Sequence, residues 1–217
     1  MELLFVILLL GFNFFISWSN ASYVGRYWSE SKEVGGSFRR YVVCGYVMAV
    51  AGFTMVYGYI LILISPIVLQ YYEVSPEIIG VIQQISSDAL YLLVSVPIIL
   101  SGFRIWIVSL KTAWEEKSFR HIATAGWNSY AHIRNMVNFA RNAPSAAGRI
   151  FEALFGGSSK RRSKKDEGIL VGAVLAVLIF AIFGGYFTAN AIMKKADAEY
   201  DGFREAWDKY NHEPEYN

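Results

Sequence analysis

The stretch KRRSKKDEGILVGAVLAVLIFAIFGGYFTANAIM, Lys160–Met193, sets a run of positive charge directly against a run of apolar residues. From Gly168 to Met193 no residue is charged, which exceeds the roughly 20 helical residues needed to cross the hydrocarbon core of a bilayer. A lone segment crosses only as a helix, because lipid offers no partner to its backbone N–H and C=O groups. Working outward, Leu3–Trp18, Tyr41–Leu69 and Ala89–Leu110 are further apolar runs of this kind. With 54% hydrophobic and 16% aromatic residues in 217, the composition departs from that of a soluble domain.

The resulting fold class is an all-α integral membrane protein with four transmembrane helices, amphipathic cytoplasmic helices and a helical C-terminal tail. Residues 1–110 hold the first three spans, at about 2–24, 41–69 and 78–110; 111–168 hold cytoplasmic amphipathic helices and the basic linker; 169–217 hold the fourth span and an outer tail. The first run ends at Ser19-Asn20-Ala21 like a signal peptide, but Met1 and Glu2 supply no positive n-region, so it reads as a retained anchor.

Charge sets the expected orientation. Arg26, Lys32, Arg39 and Arg40 lie after the first span, and Lys111, Lys117, Arg120, Arg134, Arg141 and Arg149 after the third, whereas residues 70–88 hold Glu73, Glu77 and Asp88 with no Lys or Arg. The positive-inside rule places 25–40 and 111–168 in the cytoplasm and both termini outside, in a cell inner membrane, with Lys194 and Lys195 as a minor contradiction. The run Lys160, Arg161, Arg162, Lys164 and Lys165 then anchors the inner end of the fourth helix and contacts anionic lipid, at about 1 kcal/mol per basic residue. Its flank Gly156-Gly157-Ser158-Ser159 is a flexible tether without an aromatic platform, so nucleic acid is not an expected partner.

Helix-packing faces are visible in the spans. Asn13, Ser17 and Asn20 form one polar stripe of the first helix, suited to interhelical hydrogen bonds or, as the sharper reading, to a pore lining. Gly45, Ala49 and Gly52 in the second span, and Ala181, Gly185 and Ala189 in the fourth, let another helix come close, either within the bundle or from a second copy. Ser75-Pro76-Glu77 carries helix-start chemistry, and Pro97 predicts a kink. Arg104 is the one charge well inside an apolar run, placed to snorkel to the cytoplasmic headgroups.

Outside the spans, Phe119, Ala123, Gly126, Tyr130, Ile133, Val137 and Ala140 step by four and three as a semi-apolar stripe. Arg120, Trp127, Arg134 and Arg141 repeat every seventh residue on another stripe, a basic face for anionic lipid or an acidic protein. Pro144 predicts a break, with a short second helix around Ile150–Phe155. The tail continues as an amphipathic helix whose aromatic face, including Tyr200, Phe203 and Trp207, is a partner or lipid contact.

Catalytic chemistry is not expected. His121 and His132 are too far apart on a helix to share a metal, His212 lies elsewhere, and the single cysteine, Cys44, offers no disulfide or CxxC pair. The glycines before Lys160 lack the phosphate-loop spacing. No catalytic residue, cofactor or metal site is therefore expected. The expected class is a non-enzymatic polytopic subunit, scaffold or sensor of a bacterial inner-membrane assembly of the secretion, conjugation, phage-defence or exclusion type. Its expected partners are membrane lipids, further copies of itself or other protein subunits. The alternative is a homo-oligomeric pore or channel, including a phage lysis or exclusion protein.

Overall fold

The computed structural model describes residues 2–155 and 164–212. Among these residues the chain is all-helical, with six helices and no strand. They are α1 Glu2–Arg26, α2 Trp28–Val34, α3 Gly36–Tyr71, α4 Pro76–Glu116, α5 Phe119–Phe155 and α6 Lys164–His212. Four helices are long and apolar enough to cross a membrane: Leu4–Arg26, Gly36–Tyr71, Pro76–Glu116 and Asp166–Glu205.

Local chemistry explains the boundaries. Gly35 and Gly36, both at positive φ (66° and 56°), let the chain turn from α2 into α3. Ser75 accepts a hydrogen bond from the Ile78 amide at 3.5 Å, with Pro76 as first helical residue, so α4 starts where the sequence chemistry predicts. Pro144 does not break α5, which runs on to Phe155. Proline removes one N–H donor, and here it sits on the exposed side of the helix, so no neighbouring helix has to move for it.

Antiparallel packing around α3 builds the core. Phe53, fully buried, meets Phe14 of α1 edge-on at 5.1 Å and clusters with Ala21, Ala49, Ala189 and Ile192. The expected small-residue faces lie at these contacts. A Cβ on Gly52 would strike Ser17, one on Gly45 would come 2.8 Å from Val24, and one on Gly185 would come 2.6 Å from the Thr54 backbone nitrogen. Ala181 and Ala189 are completely buried. Both faces are thus used within the chain, α3 on α1 and α6 on α3, and neither is left for a second copy.

Two features depart from the sequence expectation. First, α5 does not stand apart from the bundle: it runs antiparallel to α4 along most of its length, and Ile150 and Ala153 join Ile78, Ile82 and Leu170 in one cluster. Second, α6 consequently starts at the end of the bundle where α4 starts, and finishes beside α2. There Ser29 donates two hydrogen bonds to Asp197, at 3.3 and 3.2 Å, and Arg204 pairs with Glu30 at 3.0 Å. The charge pattern alone predicts the tail and residues 25–40 on opposite sides; the structure puts them at one end, so α1 and α6 are parallel. The cause is α5, about 55 Å long by helical rise and therefore long enough to carry the chain back along α4.

Candidate functional site

A line of polar contacts runs along the seam between α4 and α5. The docking face of α5 is made of small and polar side chains spaced by three and four, among them Ala125, Ser129, His132, Ala143 and Ala146. Small residues let the two backbones come close, and the polar ones then need partners on α4. Toward the α2 end, the Trp106 indole N–H donates to the Ser129 hydroxyl at 2.6 Å, and the same indole stacks on His132 at 5.1 Å and 30°. Further along, the Tyr91 hydroxyl donates to the Asn138 carbonyl at 3.1 Å while its ring stacks on Phe139.

The seam's strongest contact is an ion pair. Arg149 donates from Nε at 2.8 Å and from Nη2 at 2.6 Å to the two oxygens of Asp88, and Gln84 adds a third donor at 3.1 Å. The Asp88 side chain is only 8% exposed. Two residues on, Leu90 shares a core cluster with Val177 and Ala181, the middle of α6's apolar run, so the carboxylate lies well inside the bundle. Beside it is a polar cavity of about 320 Å³ lined by Tyr59, Ser87, Asn142 and Ser145 together with the pair. A charge pair enclosed among apolar helices is a candidate functional site.

A second opening, about 390 Å³, lies between α1 and α5, with α3 and α4 forming its floor and Asn20, Asn128, His132 and Asn135 in its walls. Asn128, Asn135, Asn142 and Arg149 repeat every seventh residue, so one stripe of α5 connects this groove to the ion pair.

The residues singled out in the sequence fall into separate places. Arg120, Trp127, Arg134 and Arg141 are exposed on α5, and Trp127 also lines the groove. The semi-apolar stripe from Phe119 to Ala140 lies away from α4, with Tyr130, Ile133 and Val137 between 51% and 59% accessible. Arg104 reaches Ser37 at the α2 end, 3.3 Å away. Ser17 is buried against α3, Asn13 donates to its own helix at Leu9, and Asn20 lines the groove. The first-helix stripe is therefore split between core and groove and does not form one pore surface. Tyr200 lies by Tyr27 and under the Arg204 guanidinium, and Phe203 is exposed. Lys160, Arg161 and Arg162, and the side chains of Lys164, Lys165 and Trp207, lie outside the described residues.

Among the described residues no group of three or more His, Cys, Asp or Glu could hold a metal ion. Sequence reasoning missed the Asp88–Arg149 pair because it assigned the two residues to opposite sides of the membrane. The available signal was the seven-residue step from Asn128 to Arg149. Comparison with protein families, with curated proteins and with solved structures yields no match.

Proposed function

We propose that the chain is a multi-pass protein of a bacterial inner membrane and a non-enzymatic subunit of a larger assembly, with α5 as its partner-binding helix. One observation carries this reading: α5 is covered by α4 on one face only, and its open face presents Arg120, Trp127, Arg134 and Arg141 between exposed apolar residues. Arginines on a helix that runs along a membrane-spanning neighbour need a partner's acidic groups, lipid headgroups or water. A protein partner satisfies the charges and the apolar residues together. The non-enzymatic part rests on the absence of catalytic motifs in the sequence. Purification in a mild detergent from cells at native expression tests it: co-purifying subunits, lost when Arg134 and Arg141 are changed to Glu, are expected, and a chain always recovered alone defeats the reading.

For orientation, we place the α2 end in the cytoplasm. Arg26, Lys32, Arg39, Arg40, Lys194 and Lys195 lie there together, so the last two no longer oppose the rule. The Lys160–Lys165 run joins the other ends of α5 and α6 and opposes this orientation, but it is outweighed.

The pore alternative is favoured by a different observation from the one that suggested it. Asn128, Asn135, Asn142 and Arg149 form a polar stripe about 32 Å long by helical rise, matching the roughly 30 Å hydrocarbon core. Copies meeting along α5 would line a path with that stripe. Ion flux from liposomes containing the purified protein tests it, and tight vesicles at every protein density exclude it.

A further inference from the structure

The groove between α1 and α5 is built in layers. Near the α2 end its walls are Tyr23, Tyr41 and Thr124; in the middle they are Asn20, Asn128 and His132; at the deep end they are Ile16, Met48 and Ile98, with Asn135. Tyrosines at the mouth of an apolar bundle occupy the level of the lipid headgroups, where a ring with one polar tip is most stable. The groove thus grades from hydrogen-bonding at headgroup level to apolar toward the bundle centre.

Its polar groups are unspent. Among the described residues, the side chains of Asn20, Asn128 and Asn135 form no hydrogen bond within the protein. His132 is 4% exposed and its Nε2 has no hydrogen-bond partner. A polar group left unpaired away from water costs about 1–3 kcal/mol; the buried His132 Nε2 is such a group, and beside it the half-buried Asn20 and Asn128 and the exposed Asn135 are free to hydrogen-bond to an occupant. No Asp, Glu, Lys or Arg lines the groove. Arg120 acts on Tyr23 at the mouth, but no charged side chain lines the middle of the groove, where the donors and acceptors present suit carbonyl or hydroxyl oxygens.

We propose that this groove binds an uncharged amphiphile from the bilayer, its oxygen-bearing head among Asn20, Asn128 and His132 and its tail leaving past Ile16 and Met48. The volume of about 390 Å³ falls in the range of small-molecule sites and accommodates a head with the first part of a tail. Two sources share this chemistry, an isoprenoid quinone and a diacylglycerol.

Both sources are tested on the full chain in mild detergent, by titration with a short-chain quinone and with dioctanoylglycerol while following tryptophan emission. Trp127, a groove residue, is the reporter, and Trp127→Phe identifies its share of the signal. Saturable binding of one probe is expected, and which probe binds names the source. Ala131→Phe fills the groove and should abolish binding, and Asn128→Leu, which removes one head contact, should weaken it about tenfold. Melting temperatures show whether either variant is misfolded, and the milder Asn128→Leu decides if the other is. The proposal is overturned if neither probe saturates, if a folded variant binds as the parent does, or if anionic phosphatidylglycerol displaces the probe as well as the probe itself.

Discussion

Arg149 donates two hydrogen bonds to Asp88 across 61 residues of chain, joining α5 to α4 near the level of Val177, in the middle of α6's apolar run. The carboxylate is enclosed and the guanidinium half open, so the pair acts as a clasp on the last third of α5.

Removing the clasp should loosen α5 locally. With Asp88→Ala, backbone amides from Asn138 to Phe155 should lose about tenfold in hydrogen-exchange protection while α1, α3 and α6 keep theirs, because local opening follows local contacts. The swapped pair Asp88→Arg with Arg149→Asp should recover part of the loss. Equal loosening of all helices, or none, would count against a local clasp.

A second prediction concerns Ser129. Its hydroxyl accepts from the Trp106 indole at 2.6 Å, and Ser129→Ala leaves that partly buried donor alone. The expected cost is about 1 kcal/mol, read as an earlier unfolding midpoint in denaturant-containing micelles, with the tryptophan emission of the folded state changed. An unchanged midpoint would mean water replaces the hydroxyl.

Close approach of α3 and α6 gives the third. A side chain at Gly185 would meet Thr54, including its backbone nitrogen at 2.6 Å, so Gly185→Leu should cost about 1–3 kcal/mol or more and lower the melting temperature. Because that face is inside the chain, oligomer size should not be what changes first. Altered oligomer size at an unchanged melting temperature would show instead that the face meets a second copy.

The four apolar spans and the Ser75 cap were legible because each depends on composition or local chemistry alone. α5 was not. Its docking residues, Ala125, Ser129, His132 and Ala146, are small or polar, so no hydropathy signal separates them from a water-facing helix. The seven-residue repeat was visible in Trp127, Arg134 and Arg141, but the stripe that borders the docking face and lines both openings is its neighbour, Asn128, Asn135 and Asn142. Adjacent residues point about 100° apart on a helix, and periodicity alone does not say which stripe meets protein. The path of α6 was hidden for the same reason, since it follows from whether α5 returns along α4.

That path yields the fourth prediction, which separates geometry from charge. In a Cys44→Ser background, single cysteines replace Lys32, Lys194 and Tyr72, all exposed positions. Lys32 and Lys194 belong to the α2 end, where Asp197 meets Ser29, and Tyr72 to the opposite end, next to the start of α4. A membrane-impermeant thiol reagent added to intact cells should therefore treat positions 32 and 194 alike and position 72 oppositely. With the α2 end in the cytoplasm, only position 72 is labelled until the cells are opened. The charge pattern alone gives another result, with 194 labelled together with 72, because it starts α6 on the cytoplasmic side at Lys160–Lys165. Labelling of 194 with 72 would mean that α5 does not return along α4, and both the Asp88–Arg149 clasp and the groove beside His132 would fall with it.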